Sequence, residues 1–330
     1  MNGVQIRLKS RPVGLPSRAD FERSDQPQRS PGKGEVLVRT LYISVDPALR
    51  PRMNAISEYA GALAIGDVIP ASGLGVVIAS RDDKFRSGDH VFGFLGWQSH
   101  AVLQANELRH IDPSRAPLPK WLSLLGLSSF TAYIGITELG RPRPGETVVV
   151  SAAAGGTGAM AGQFARIAGA RVVGIAGGGE KCRHVVDNLG FDQCIDHRAP
   201  DFEARLSAAC PDGIDVDYEN VGGRILGTVY ERMNIGGRVI ICGLASEYHN
   251  DGWAAGPSLW PTVYKSLRIE GFRASRHFDR VPEFIEQALL LAEEGRLTHY
   301  EQIYRGLENA PAAFIDMLQG RHLGKAMVEL

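Results

Sequence analysis

The chain has 330 residues, with 36 Lys+Arg against 37 Asp+Glu, a formal net charge of -1, 44% hydrophobic and 22% charged residues. That balance excludes intrinsic disorder and gives no global pull toward nucleic acid or an anionic membrane. The length suits about two domains whose cores need no staples.

In chain order, residues 1–10 carry Arg7 and Lys9 with no apolar segment behind them, so they do not read as a secretory signal. Residues 1 to about 120 read as β-rich: 35–42 and 75–79 are short apolar or alternating runs, bounded by turns such as Ser30-Pro31-Gly32 and Ser87-Gly88-Asp89. The longest apolar stretch, 121–139, is broken by Ser123, Ser128, Ser129, Thr131 and Glu138 and falls short of the ~20 residues of a bilayer span. The cytosol is the expected compartment. From about 121 to 270 strands and helices alternate: strands at 147–152, 171–176, 194–195, 214–218, 238–242 and 267–272, helices at 158–168, 180–188, 201–210 and 224–233. Such alternation predicts right-handed βαβ units on a parallel sheet. Helices at 284–294 and 311–318 and a strand at 325–330 close the chain.

The four cysteines, Cys182, Cys194, Cys210 and Cys242, have no CxxC spacing and read as small core thiols of a reduced protein. His90, His100 and His110 recur every ten residues without the company of a ligand set and read as loop or surface histidines, so no metal is expected.

The strand-to-helix turn Val150-Ser151-Ala152-Ala153-Ala154-Gly155-Gly156-Thr157-Gly158 matches the dinucleotide fingerprint with Ala153 in place of the first glycine. Gly155 lets the backbone approach a pyrophosphate, Gly158 lets the helix pack on the strand, and the N–H groups from Gly155 through Gly156 and Thr157 face phosphate. The next strand ends in Gly177-Gly178-Gly179, with no acid for a ribose 2′-hydroxyl. The room left, with Lys181 one helical turn on and Arg183 and His197 as further candidates, points to a 2′-phosphate and hence to NADP. Asn220, in Glu219-Asn220-Val221-Gly222-Gly223, and Cys242-Gly243-Leu244 follow later strands where a cofactor would lie.

With these residues the chain resembles the zinc-independent medium-chain dehydrogenases/reductases, and within them the NADPH-dependent alkenal/one reductases, which include prostaglandin reductases, plant double-bond reductases and bacterial curcumin reductases. The likeness runs almost end to end. It is carried by Ser44-Val45-Asp46-Pro47, Arg50 and Met53, Ser129-Phe130-Thr131-Ala132-Tyr133, the glycine turn, Gly177 to Arg183, Leu189 to Asp192, Asp196 to Phe202, Tyr218 to Gly223 and Gly306 to Pro311. The resemblance implies an α/β fold in which a Rossmann doubly wound parallel-sheet domain, 121–269, is inserted in a β-rich GroES-like catalytic domain, 1–120 with 270–330. It implies a homodimer, an enone or enal substrate and no metal. It extends the cofactor contacts to His197, Cys242 through Tyr248, Phe272 and His322, and it casts Tyr264 as the catalytic hydroxyl near the nicotinamide ribose and the substrate carbonyl. One departure stands out: Asp46-Pro47-Ala48-Leu49-Arg50 has alanine where the family has tyrosine, which implies a wider or differently shaped pocket with Tyr59 or Trp97 as replacement aromatic surface. The expected reaction is reduction of the C=C bond of α,β-unsaturated ketones or aldehydes. A quinone reductase and a non-catalytic NADPH-binding protein are the alternatives.

Overall fold

The apolar runs that mark the parallel sheet and the alternating runs before them fold into two different kinds of layer. The computed structural model describes residues 2–57, 61–249 and 256–330, so Tyr59 lies outside the described residues. In chain order come β1 (Asn2–Leu8), β2 (Phe21–Pro27), β3 (Glu35–Ser44), a helical turn α1 (Leu49–Arg52), β4 (Gly73–Ser80), β5 (His90–Gly93), β6 (His100–Gln104) and β7 (Arg109–His110). Next are α2 (Leu127–Ile134), continued by a π-helical turn at Gly135–Gly140, then β8 (Thr147–Ser151), α3 (Gly156–Ile167), β9 (Arg171–Ala176), α4 (Gly179–Asp187), β10 (Gln193–Asp196) and α5 (Phe202–Ala209). β11 (Ile214–Glu219), α6 (Gly223–Glu231), β12 (Met233–Ile241), α7 (Trp260–Tyr264), β13 (Arg268–Gly271), α8 (Val281–Glu293), β14 (Glu301–Arg305), α9 (Ala310–Leu318) and β15 (Lys325–Glu329) complete the order.

The chain divides into two compact units, Met1–Leu122 with Glu301–Leu330, and Ser123–Tyr300. The first holds a seven-stranded sheet: β14-β15-β3-β4-β5-β7 in order, with β6 on β3. β15 runs antiparallel to β3, Met327 opposite Ser44. The buried Lys325 ammonium donates to the Val45 carbonyl and to the Asp46 carboxylate, which fastens the C-terminal strand to the segment after β3. The histidines read as loop or surface residues lie on strands: His90 opens β5, His100 opens β6, and the exposed His110 ends β7. Trp97 is fully buried, its ring 5.6 Å from Phe21 and 5.9 Å from Phe314, so it belongs to the core of this unit and is not pocket wall.

The second unit is built on six parallel strands in the order β10-β9-β8-β11-β12-β13. This doubly wound order puts the topological switch between β8 and β11, at whose carboxyl ends such sheets bind ligands. β8 is buried along its whole length, as a central strand covered on both faces must be. Residues 270–300 fall in this unit rather than with the β-rich one, so the return expected at 270 comes at 301, and the first boundary falls after 122 instead of 120. The reason is the apolar face of α8: the Phe284 ring lies 5.5 Å from both Phe130 and Tyr133 on α2. Beyond α8, the Gln163 side chain on α3 donates to the Thr298 carbonyl (2.9 Å) and accepts from its N–H (2.8 Å).

Candidate functional site

β8 turns into α3 through Ala152, which adopts a left-handed φ of 49°, an uncommon conformation for a residue with a Cβ. α3 starts at Gly156 with Gly155 as N-cap and no side-chain cap. Its first N–H groups therefore lack the usual side-chain acceptor, and an anion can serve in its place. A methyl group at Gly158 would lie 2.4 Å from the Ala152 carbonyl oxygen and 3.0 Å from that of Ser151. Only glycine lets the helix start this close to the strand.

At the carboxyl end of β9, Gly178 caps α4 with a φ of 95°, and its N–H donates to Asp196 Oδ1 at 2.9 Å. The same oxygen accepts the Arg198 N–H at 3.0 Å, so one carboxylate holds the end of β10 beside the start of α4. Lys181 stands in the first turn of α4, and a methyl at Gly177 would lie 2.9 Å from His197 Nε2 and 3.0 Å from Arg198 Nε. Arg198 thus joins Lys181 and His197 around the glycine turn, a cation that motif reading passed over. Burial, then the charge of Arg198, lowers the pKa of both Lys181 and His197. Cations crowded together in this way favour a polyanionic guest.

Across the switch point, the Asn220 N–H donates to Ser151 Oγ and its Nδ2 to the Ser151 carbonyl, both at 2.7 Å, tying the ends of β8 and β11 together. Glu219, quoted in the turn motif but given no role of its own, is fully buried there. Its Oε1 accepts from Ser151 Oγ (2.7 Å), Gly222 N (2.9 Å) and Val221 N. After β12, the Cys242 and Gly243 N–H groups donate to the Glu219 carbonyl at 2.9 and 3.1 Å, and the Cys242 thiol, hydrogen-bonded to Tyr218, is pushed up to about 11 by burial. Leu244 N donates to the Tyr248 hydroxyl at 3.3 Å, and a methyl at Gly243 would meet that hydroxyl at 2.8 Å. Phe272 follows β13 at the same edge, near Tyr218 and Gly135. The carboxyl edge therefore gathers Gly155 to Gly158, Gly177, Gly178, Lys181, His197, Asn220, Cys242 to Leu244, Tyr248 and Phe272.

Tyr264 is not among them. It ends α7, before β13 begins, and the next residue, Lys265, accepts from Gly236 N at the start of β12 (2.7 Å). Five residues of parallel strand separate that level from the end of β12 at Ile241, about 17 Å at the rise of a strand. Within its own chain Tyr264 therefore lies away from the carboxyl edge: its side chain is 55% exposed at the amino edge, beside Trp260. His322 and Ala48 belong to the first unit, His322 between α9 and β15 and Ala48 at the start of α1. The cysteines also differ from expectation: all four are free, but only Cys210 is buried. Among the described residues no group of three or more His, Cys, Asp or Glu is placed to hold a metal ion.

Residues 4–111 match the N-terminal domain of oxidoreductase family and residues 156–290 the zinc-binding dehydrogenase family. The NADPH-dependent curcumin reductase of Escherichia coli (strain K12) is 39% identical over 98% of this chain and 95% of its own. The chain belongs to the medium-chain dehydrogenases/reductases, in their alkenal/one reductase branch. Further along this family, the 2-alkenal reductase (NADP(+)-dependent) of Nicotiana tabacum is 35% identical, covering 99% of this chain and 97% of its own. The crystal structure of CurA in complex with NADPH from Vibrio vulnificus superposes with a TM-score of 0.94 at 37% identity, covering 99% of this chain and 98% of that one. No helix among the described residues is long and apolar enough to cross a membrane.

Proposed function

We propose that the protein reduces the C=C bond of α,β-unsaturated ketones and aldehydes with NADPH. The observation that carries this reading is the uncapped start of α3 at the switch point, flanked at the end of β9 by Lys181, His197 and Arg198 with no acid in the ribose position. The α3 N–H groups suit a pyrophosphate, and Lys181 and Arg198, with the His197 ring as a hydrogen-bonding neighbour, suit a 2′-phosphate. Relatives named for NADPH and for enal or curcumin reduction, similar along almost their whole length, support the same cofactor and substrate class. Bound there, NADPH supplies a hydride to the substrate β-carbon. The protein's own task is to hold a proton donor at the carbonyl oxygen, where negative charge collects. Tyr248, held over Gly243 at the carboxyl edge of the same chain, is a donor candidate in addition to Tyr264. The β-rich unit is read as the GroES-like catalytic domain.

We also infer a homodimer. Leu259, Trp260 and Val263 are each 67% exposed on and beside α7, and Ile269 is 40% exposed on the edge strand β13. Exposed apolar side chains clustered beside an unpaired edge strand call for a second chain. The quinone-reductase alternative shares the cofactor site, so the deciding assay is NADPH oxidation on parallel panels of enones such as 3-nonen-2-one and of 1,4-quinones. Turnover on enones and a Tyr248→Phe loss of kcat by roughly 10²–10³-fold are expected, as for removal of one oxyanion donor. No NADPH oxidation on any enone overturns the reading.

A further inference from the structure

Two of the four thiols, far apart by any spacing rule, meet in the fold. Cys182 is the fourth residue of α4, Cys194 the second of β10, and the two elements pack directly on each other. Their thiols hydrogen-bond to one another, and both side chains are half-buried, within reach of a small oxidant. Cys182 donates its N–H to Gly178 O at 3.1 Å, which places it in the first turn of α4, where the helix dipole favours a thiolate. Cys194, on a strand, has no such helix start behind it, so Cys182 is the sulfur placed to lose its proton. Cys210 and Cys242 do not share this arrangement: the first is buried among the apolar side chains behind β11, and the second is bonded to Tyr218.

We propose that Cys182 and Cys194 form a peroxide-sensing thiol pair that closes to a disulfide at the rim of the cofactor phosphate site. The Cys182 thiolate attacks one peroxide oxygen. An S–O bond forms, the O–O bond breaks, and the departing hydroxide takes up a proton as water. Cys182 is thereby oxidised to the sulfenic acid and the peroxide reduced. The Cys194 sulfur then attacks Cys182. The S–S bond forms, the S–O bond breaks, and the leaving hydroxide carries off the Cys194 proton as a second water. Two thiols and one hydrogen peroxide give one disulfide and two waters, and a dithiol reverses the change.

Closure shortens the sulfur separation from hydrogen-bonding range to about 2.05 Å. The movement falls on the two segments that carry the cations. Lys181 directly precedes Cys182, and Asp196, two residues past Cys194, holds both Gly178 N and Arg198 N. The disulfide thus displaces Lys181 relative to His197 and Arg198 and weakens the grip on a 2′-phosphate. This consequence, unlike the disulfide itself, rests on the NADPH reading above.

The test treats the full chain with hydrogen peroxide, blocks remaining thiols and maps the peptides. A Cys182–Cys194 cross-linked peptide is expected, reversed by dithiothreitol. Cys194→Ser should lose the cross-link and leave a Cys182 sulfenic acid that dimedone traps, and Cys182→Ser should lose both. Oxidation of the unmodified sequence should raise KM for NADPH by about tenfold, the worth of one charge-assisted hydrogen bond, and leave KM for NADH in place. Absence of the cross-link, or Cys182 passing to sulfinic acid without one, overturns the proposal. A cross-link with unchanged KM for NADPH overturns the coupling to the phosphate site. If Arg198→Ala also leaves that KM unchanged, the phosphate-site reading fails with it, while the disulfide stands.

Discussion

Replacing Asp217 with valine should stabilise the second unit. The Asp217 side chain has no exposed surface, and neither carboxyl oxygen has a hydrogen-bond partner among the described residues. Its register neighbours on β8 and β12 are Val149 and Val239, both in the apolar cluster on that face of the sheet. A buried polar group without a partner costs about 1–3 kcal/mol, and a β-branched replacement suits the strand. Burial, with the neighbouring Glu219 charge added, raises the Asp217 pKa well above the ordinary carboxyl range. The folded state then keeps its proton at pH values where the unfolded chain has lost it. Stability from this group is complete at acid pH and falls as pH rises, by about 1.4 kcal/mol per pH unit until the raised pKa is passed. Asp217→Val removes that slope. Thermal unfolding of both proteins at about pH 5 and about pH 8 is the assay. The variant should gain at both, more at the higher pH, with about 2–4 °C in Tm for each kcal/mol in a unit of this size. An equal gain at the two pH values refutes the raised pKa, and a loss of stability refutes the unpartnered carboxyl.

Gly158→Ala puts a methyl 2.4 Å from the Ala152 carbonyl, a backbone atom that cannot swing aside. Overpacking of about 1–3 kcal/mol should lower Tm, and NADPH affinity measured by fluorescence titration should drop with the displaced helix start; unchanged binding would remove the close approach from the argument. Arg198→Ala should raise KM for NADPH by about 10–100-fold, the range for hydrogen bonds to a charged group, and spare NADH in steady-state assays. Val263→Glu, on the exposed face of α7, should shift the protein to monomer in sedimentation velocity at micromolar concentration, because a charge buried in an apolar contact goes unpaired.

What was legible in the sequence follows from how each feature is encoded. β9 has the bounds read from its apolar run, 171–176, because a strand covered on both faces must be apolar throughout. The β1–β2 hairpin escaped notice because β2 carries Glu22, Arg23, Ser24, Asp25 and Gln26 and is largely exposed, so no pattern of burial is written into it. The amphipathic face of α8 was readable, but amphipathicity does not name a partner, and only Phe130 and Tyr133 on α2 decide which unit it joins. The same limit applies to the two tyrosines. Tyr248 and Tyr264 flank the same two strands, and nothing in their spacing says which end of a parallel strand each occupies; the bond from Gly236 N to Lys265 O settles it. The thiol pair shows the converse. A βαβ unit lays each helix against the strand that follows, so a cysteine in the first turn of a helix and one on the next strand can approach whatever the length of chain between them. Spacing rules fail for such pairs because the constraint is topological, and Cys182 with Cys194 is a case in which the parallel sheet, not a motif, brings two reactive groups together.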